Sequence, residues 1–148
     1  MVKKRKSTAV RQEQIINAAK KVIIKYGSEH VTVKRIAKEV GISEAAIYRH
    51  FKSKRDILSL LADQIEHLLL GDIETEAGVS GYTPLETLER IFRNHLSAVE
   101  QRRGMSFLVI AEIISLGDKS LTGKYLTSLT NIQIVSRISY RKRSRLEK

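Results

Sequence analysis

The sequence predicts an all-α protein, with a head of three helices joined by a long helix to a small helical body. Three observations carry that expectation. Apolar side chains recur at helical spacing in one segment after another. The segments are punctuated by capping residues and glycines, as at Thr32, Gly41, Ser43, Ser53 and Thr83. Met105 to Leu116 is apolar nearly all round, which suits a central helix packed on several neighbours.

Met1 to Lys6, MVKKRK, reads as a basic arm, free in solution and able to follow phosphates near DNA. From about Thr8 to Tyr26, Ile15, Ala18, Ala19, Val22, Ile23 and Tyr26 form a helical stripe that Gly27 ends. Lys20, Lys21 and Lys25 fall off the stripe, on what should be the wet face.

Val31 to Phe51, VTVKRIAKEVGISEAAIYRHF, organises the chain. Thr32 caps a helix with Ile36, Ala37 and Val40 on one face. Gly41 supplies the left-handed backbone of a sharp exit, and Ile42 drops back inside. Ser43 caps a further helix, Glu44 to His50, anchored by Ala46 and Ile47. This is a helix-turn-helix, the unit that lays its second helix in a DNA major groove. An ordinary pair of core helices would use the same turn, so the flanking residues matter.

Glu44, Ala45, Tyr48 and Arg49 are the outward positions of that second helix. Arg49 is long enough for a bidentate contact to guanine, and Ala45 suits a thymine methyl. Glu44 suits either cytosine N4 or the positive helix start.

Ser53 to Asp56 has the S-x-x-D form of a capping box, opening a long helix to about Leu70. Its apolar face is Ile57, Leu58, Leu61, Ile65, Leu68 and Leu69. Asp63 and His67 are four apart, and with no third ligand they read as an exposed ion pair. Ala77 to Tyr82 is a loop, and Thr83-Pro84-Leu85-Glu86 starts the next helix strongly. Leu85, Leu88, Ile91, Phe92, His95, Leu96 and Val99 should form its buried face. His95 there is either a core histidine or a polar group lining a pocket. Glu112, the one carboxylate of the Met105 run, sits at an exposed edge or faces a cavity, the edge being the default. After the Gly117 to Ser120 turn, Leu121, Tyr125, Leu126 and Leu129 support a last short helix. Asn131 to Lys148 is a basic tail compatible with a helix, a strand or neither.

Composition narrows the function classes. The chain has 148 residues, enough for a modest core, and 42% hydrophobic content argues for folding. With no cysteine it can build neither disulfides nor thiolate metal sites. No signal-peptide core or long apolar run appears, so the expectation is a cytoplasmic protein with no membrane partner. Residues 1–55 carry 15 Lys/Arg against 4 Asp/Glu, a net +11. Residues 56–130 carry 6 against 11, a net −5, and residues 131–148 carry 6 against 1, a net +5. Charge so segregated suggests a polyanion at one end and something else in the middle. No Ser/His/Asp set, glycine-rich phosphate loop or metal-ligand cluster is in evidence, so no catalytic, metal or cofactor site is expected.

The pattern A-x-x-V-G-I-S-x-x-x-I-Y-R-H-F-x-S-K-x-x-I-L, over roughly Arg11 to Leu61, resembles the DNA-binding end of the TetR family of repressors. The resemblance implies that Tyr48, His50 and Lys54 bind phosphate, as do Thr32 and Lys34 at the start of the preceding helix. Backbone donors at Ser53–Lys54 could hold another phosphate. With Ser43, Glu44, Ala45 and Arg49 these complete the expected double-stranded DNA site. Tyr48 is also read as packing half its ring beneath the turn, and His50 as a capping histidine at a helix C-terminus.

The same resemblance divides the chain into residues 1–54 as arm and DNA-binding head, 55–130 as ligand-binding and dimerisation body, and 131–148 as tail. It implies a homodimeric repressor on a near-palindromic operator, with head spacing set by the tilt of the long helix. A small hydrophobic effector would release it, with His95, Phe107, Ile110 and Glu112 as candidate contacts. The chain is short for the family's usual dimer helices, so the expectation is a truncated or frame-shifted body, or dimerisation through another surface, with apolar surface left exposed. The alternative is an effector-independent, sequence-tolerant nucleic-acid binder.

Overall fold

The structure is a computed structural model describing residues 7–130, so the expectations for the basic arm and tail lie outside the described residues. Seven α-helices follow one another: α1 Thr8–Tyr26, α2 Val33–Val40, α3 Glu44–Tyr48, α4 Lys54–Ala77, α5 Pro84–Gln101, α6 Met105–Ser115 and α7 Lys119–Thr130. A 3₁₀ turn, Ser28–His30, links α1 to α2. No strand occurs among the described residues, and no helix among them is long and apolar enough to cross a membrane.

Five of the seven helices start from a serine or threonine cap. Ser7, Thr32, Ser43, Ser53 and Thr83 accept from a backbone N–H three residues on, filling one of the donors a helix start leaves open. At Thr83 the box is complete, because the Glu86 carboxylate also accepts from the Thr83 N–H at 2.7 Å.

The core is continuous from head to body. Ile15, Ile16, Ala19, Val22 and Ile23 of α1 meet Ile36 of α2, Ile47 of α3 and Ile57, Leu58 and Leu61 of α4. Val109 and Ile113 of α6 and Tyr125 of α7 extend the same cluster. Helix α6 touches α1, the 3₁₀ turn, α4 and α7, and so sits directly against the head.

Several expectations are corrected. Tyr26 leaves the α1 stripe and lies exposed beneath Arg35, while Ile16 joins the core. Lys20 is not wholly wet, and its partial burial lowers its pKa. Helix α4 runs seven residues beyond Leu70, because Gly71 keeps helical backbone and nothing breaks the helix before Gly78. Asp63 pairs with Lys124 and Tyr125 of α7 rather than with His67.

The expected buried face of α5 is mostly outside. Leu85, Leu88, Phe92 and Leu96 are exposed, and of that stripe only Ile91 is buried. The reason is partner number: among the described residues α5 packs chiefly along α4, and one main neighbour covers less than a full apolar stripe. Helix α6 buries Met105, Val109, Glu112 and Ile113, while Phe107 and Ile114 face solvent.

Candidate nucleic-acid interface

The turn between α2 and α3 is built by its backbone. Gly41 has φ 75° and ψ 40°, the left-handed conformation that costs an L side chain strain. Its N–H bonds back to the Lys38 and Ala37 carbonyls, and the Ile42 N–H reaches the Ala37 carbonyl at 3.0 Å. That is a Schellman closure, with Ile42 returned against the core. Ser43 then accepts from the Ala46 N–H at 3.2 Å and starts α3.

Helix α3 is shorter than expected, ending at Tyr48 with Arg49 as its cap rather than at His50. The His50 and Phe51 N–H groups both turn onto the Ile47 carbonyl, at 2.8 and 3.0 Å, which tightens the last turn and stops propagation. Ile47 is fully buried and Phe51 nearly so, which seats α3 on the core. The opposite row, Glu44, Ala45, Tyr48 and Arg49, is exposed.

Around that row, Ser43, Thr32 and Lys34 are exposed as well, although the hydroxyls of Thr32 and Ser43 already serve as helix caps. Tyr48 is 52% exposed, leaving half its surface packed and its ring edge open. His50 is half-buried. Its Nδ1 is enclosed without a hydrogen-bond partner, while its carbonyl accepts from Gln12 Nε2 at 3.3 Å. Gln12 was missed as a contributor. Its signal was present, since position 12 falls on the same helical face as Ile15, Ile16, Ala19 and Ile23.

Lys54 is the residue whose setting differs most from expectation. Its ammonium is ion-paired with Glu112 of α6, and its side chain is only 28% exposed. Glu112 is correspondingly buried, not at an exposed edge, because α6 turns that face toward the start of α4. Next to it Arg55 pairs with Asp118, and hydrogen bonding to the guanidinium, helped by the Leu121 N–H, holds the Asp118 carboxyl below the usual range.

The four candidate effector residues are not brought together. His95 lines a crevice of about 30 Å³ between α4, α5 and α6, with Ile65, Leu69 and Met105. Ile110 lines a second of about 20 Å³, with Ala62, Val109 and Tyr125. Phe107 is 62% exposed and Glu112 is engaged by Lys54. Sites for drug-sized ligands are commonly ~300–1,000 Å³, so neither crevice is a formed ligand cavity. No group of three or more metal-ligating side chains occurs among the described residues.

Residues 15–61, spanning the α1 core, the turn, α3 and the start of α4, match the model of the bacterial regulatory proteins of the tetR family. Over that stretch the chain is similar to the TetR family. Among curated relatives, the nucleoid occlusion factor SlmA of Actinobacillus pleuropneumoniae serotype 5b (strain L20) is 27% identical over 121 residues. That match covers 81% of this chain, and the chain spans 59% of the relative's length.

Among solved structures, a TetR-like transcriptional regulator from Rhodococcus sp. RHA1 superposes with TM-score 0.69 at 25% identity, covering 90% of this chain and 72% of that one. Thermus thermophilus FadR, a TetR-family repressor solved in complex with lauroyl-CoA, superposes with TM-score 0.66 at 21% identity. It covers 91% of this chain and 69% of that one, and at that identity it speaks to the fold.

Proposed function

We propose that the chain is a DNA-binding transcriptional regulator, a TetR-like repressor that a small hydrophobic effector releases from a palindromic operator. One observation carries the DNA reading: the row Glu44, Ala45, Tyr48 and Arg49 is exposed on a helix whose other side, at Ile47, is fully buried. Such a helix can enter a groove without unfolding anything. The net charge of +11 on residues 1–55 supplies attraction to phosphates, and the match of residues 15–61 to the tetR-family model agrees.

In this reading residues 1–54 form the arm and head, and residues 55–130 the effector and dimerisation body. Arg49 reads a base, Ala45 and Glu44 face the groove floor, and Thr32, Lys34, Ser43, Tyr48, His50 and Lys54 lie toward phosphates. Two copies would occupy successive half-sites in the cytoplasm. The lauroyl-CoA held by Thermus thermophilus FadR supports an acyl thioester as the first effector class to try. The small crevice beside His95 implies that an effector of that size would have to part α5 from α4 and α6.

Selection of binding sites from random duplexes, followed by Arg49→Ala, tests the proposal. The substitution should cost roughly 1–3 kcal/mol on the selected operator and relax one position. An equal loss on operator and random DNA would remove Arg49 from base reading. The crevice sizes favour a second reading, an effector-independent and sequence-tolerant binder. Equal affinity of the unmodified chain for operator and random DNA at one salt concentration would select it.

A further inference from the structure

The first turn of α4 holds two cations, and body carboxylates hold both. Lys54 pairs with Glu112 of α6, and Arg55 with Asp118 before α7. Their surroundings differ. The Arg55 pair stands largely in water, whereas the Glu112 side chain is 5% exposed. A carboxylate at that depth needs its counterion, because stranding it is strongly unfavourable. Among the described residues, Lys54 is the cation paired with it.

Lys54 is also the ammonium read above as a phosphate ligand, and one ammonium cannot neutralise two anions. We propose that Glu112 is an internal competitor of DNA. With α6 seated on the start of α4, its carboxylate keeps Lys54, and the head meets the duplex with one phosphate contact fewer than its residues supply. Drawing α6 away releases Lys54 to the backbone. The coupling has a short physical route. Val109, three residues before Glu112 on the same helix, lines the crevice shared with Ile110 and Tyr125. A molecule wedged there displaces the helix that carries the carboxylate and tightens binding, opposite in sign to effector release through the separate crevice beside His95. The inference rests on the DNA-binding reading of α2 and α3 and names a regulation of that site.

The test uses the full chain and a random-sequence duplex, with binding followed by fluorescence anisotropy across a salt series. Glu112→Gln keeps the shape and removes the charge. It should tighten binding roughly five- to tenfold near 0.1 M salt and steepen the log–log salt slope by about 0.9, the value of one phosphate contact. Glu112→Asp, which draws the charge back from Lys54, should give a smaller gain of the same sign and serves if the first variant does not fold. The double variant Lys54→Met with Glu112→Gln should return the slope to that of the unmodified chain. Glu100→Gln, an equal charge change on an exposed position of α5, should leave the slope alone. A folded Glu112→Gln with unchanged or weaker binding overturns the competition, as does a gain that survives in the double variant. Failure of the unmodified chain and every variant to bind the duplex would instead overturn the DNA reading itself, and the competition with it.

Discussion

The head and the outer body are both built from helices with an apolar face, yet they close their interiors differently. In the head, α1, α2, α3 and the start of α4 converge, and Ile15, Ile23, Ile36, Ile47 and Leu58 are each fully buried. In the body, α5 leaves Leu85 74%, Leu96 65% and Phe92 59% exposed. The lesson concerns coverage. A stripe at helical spacing decides that a helix has an apolar face, but the number of neighbours decides how much of it leaves water. The head supplies its own neighbours within about fifty residues, whereas α5 has chiefly α4.

The sharpest way to break this contrast is to empty a sealed position. Ile47→Ala should cost about 2–5 kcal/mol, because the surroundings only partly collapse into the space left. Urea unfolding of the purified variant measures it, and a loss below ~1 kcal/mol would deny that α3 is locked to the core.

A smaller effect is expected where α4 and α7 meet. Burial opposes ionisation of Asp63, but hydrogen bonds from Lys124 and Tyr125 outweigh it and lower its pKa. A carboxyl lowered in the folded state adds stability above its unfolded value of about 3.9, and that stability is lost as pH falls through the folded value. Thermal melts should therefore show a gap between the unmodified chain and Asp63→Asn that is steady from pH 7 to about 5 and narrows below about 4. A gap that widens on acidification would reverse the assigned sign.

The mildest change should come from the open stripe. Phe92→Ser should stay within about 0.5 kcal/mol in monomer stability, as surface substitutions usually do. A loss several times larger in the same urea assay would mean that α5 is covered in solution.

How far these features were legible in the residues depended on range. Caps and the Gly41 turn are local chemistry, so Thr32, Ser43, Ser53 and Thr83 announced their helices and the structure placed them so. The outward row of α3 was equally readable, since Ile47 fixed which side must be buried. Glu112 was not readable. Its isolation in an apolar run shows that something must satisfy it, but its partner lies 58 positions earlier, and separation in sequence hides such a pairing. The same blindness affected Asp63, whose helical neighbour His67 was the only partner in view until α7 folded back. For α5, periodicity located the apolar face but could not report that, among the described residues, α4 is its chief neighbour. The candidate effector residues do not share one crevice, and periodicity could not show this because a cavity belongs to several elements at once.

Helix α4 carries one further consequence through its length alone. Twenty-four residues at ~1.5 Å each make a rod of roughly 36 Å. If its Ala77 end were the fulcrum, a swing of about 5° would sweep the other end through an arc of ~3 Å, as long as a hydrogen bond. A lever with that ratio lets a disturbance too slight to repack an interior still carry the start of α4 through the distance that makes or breaks a contact.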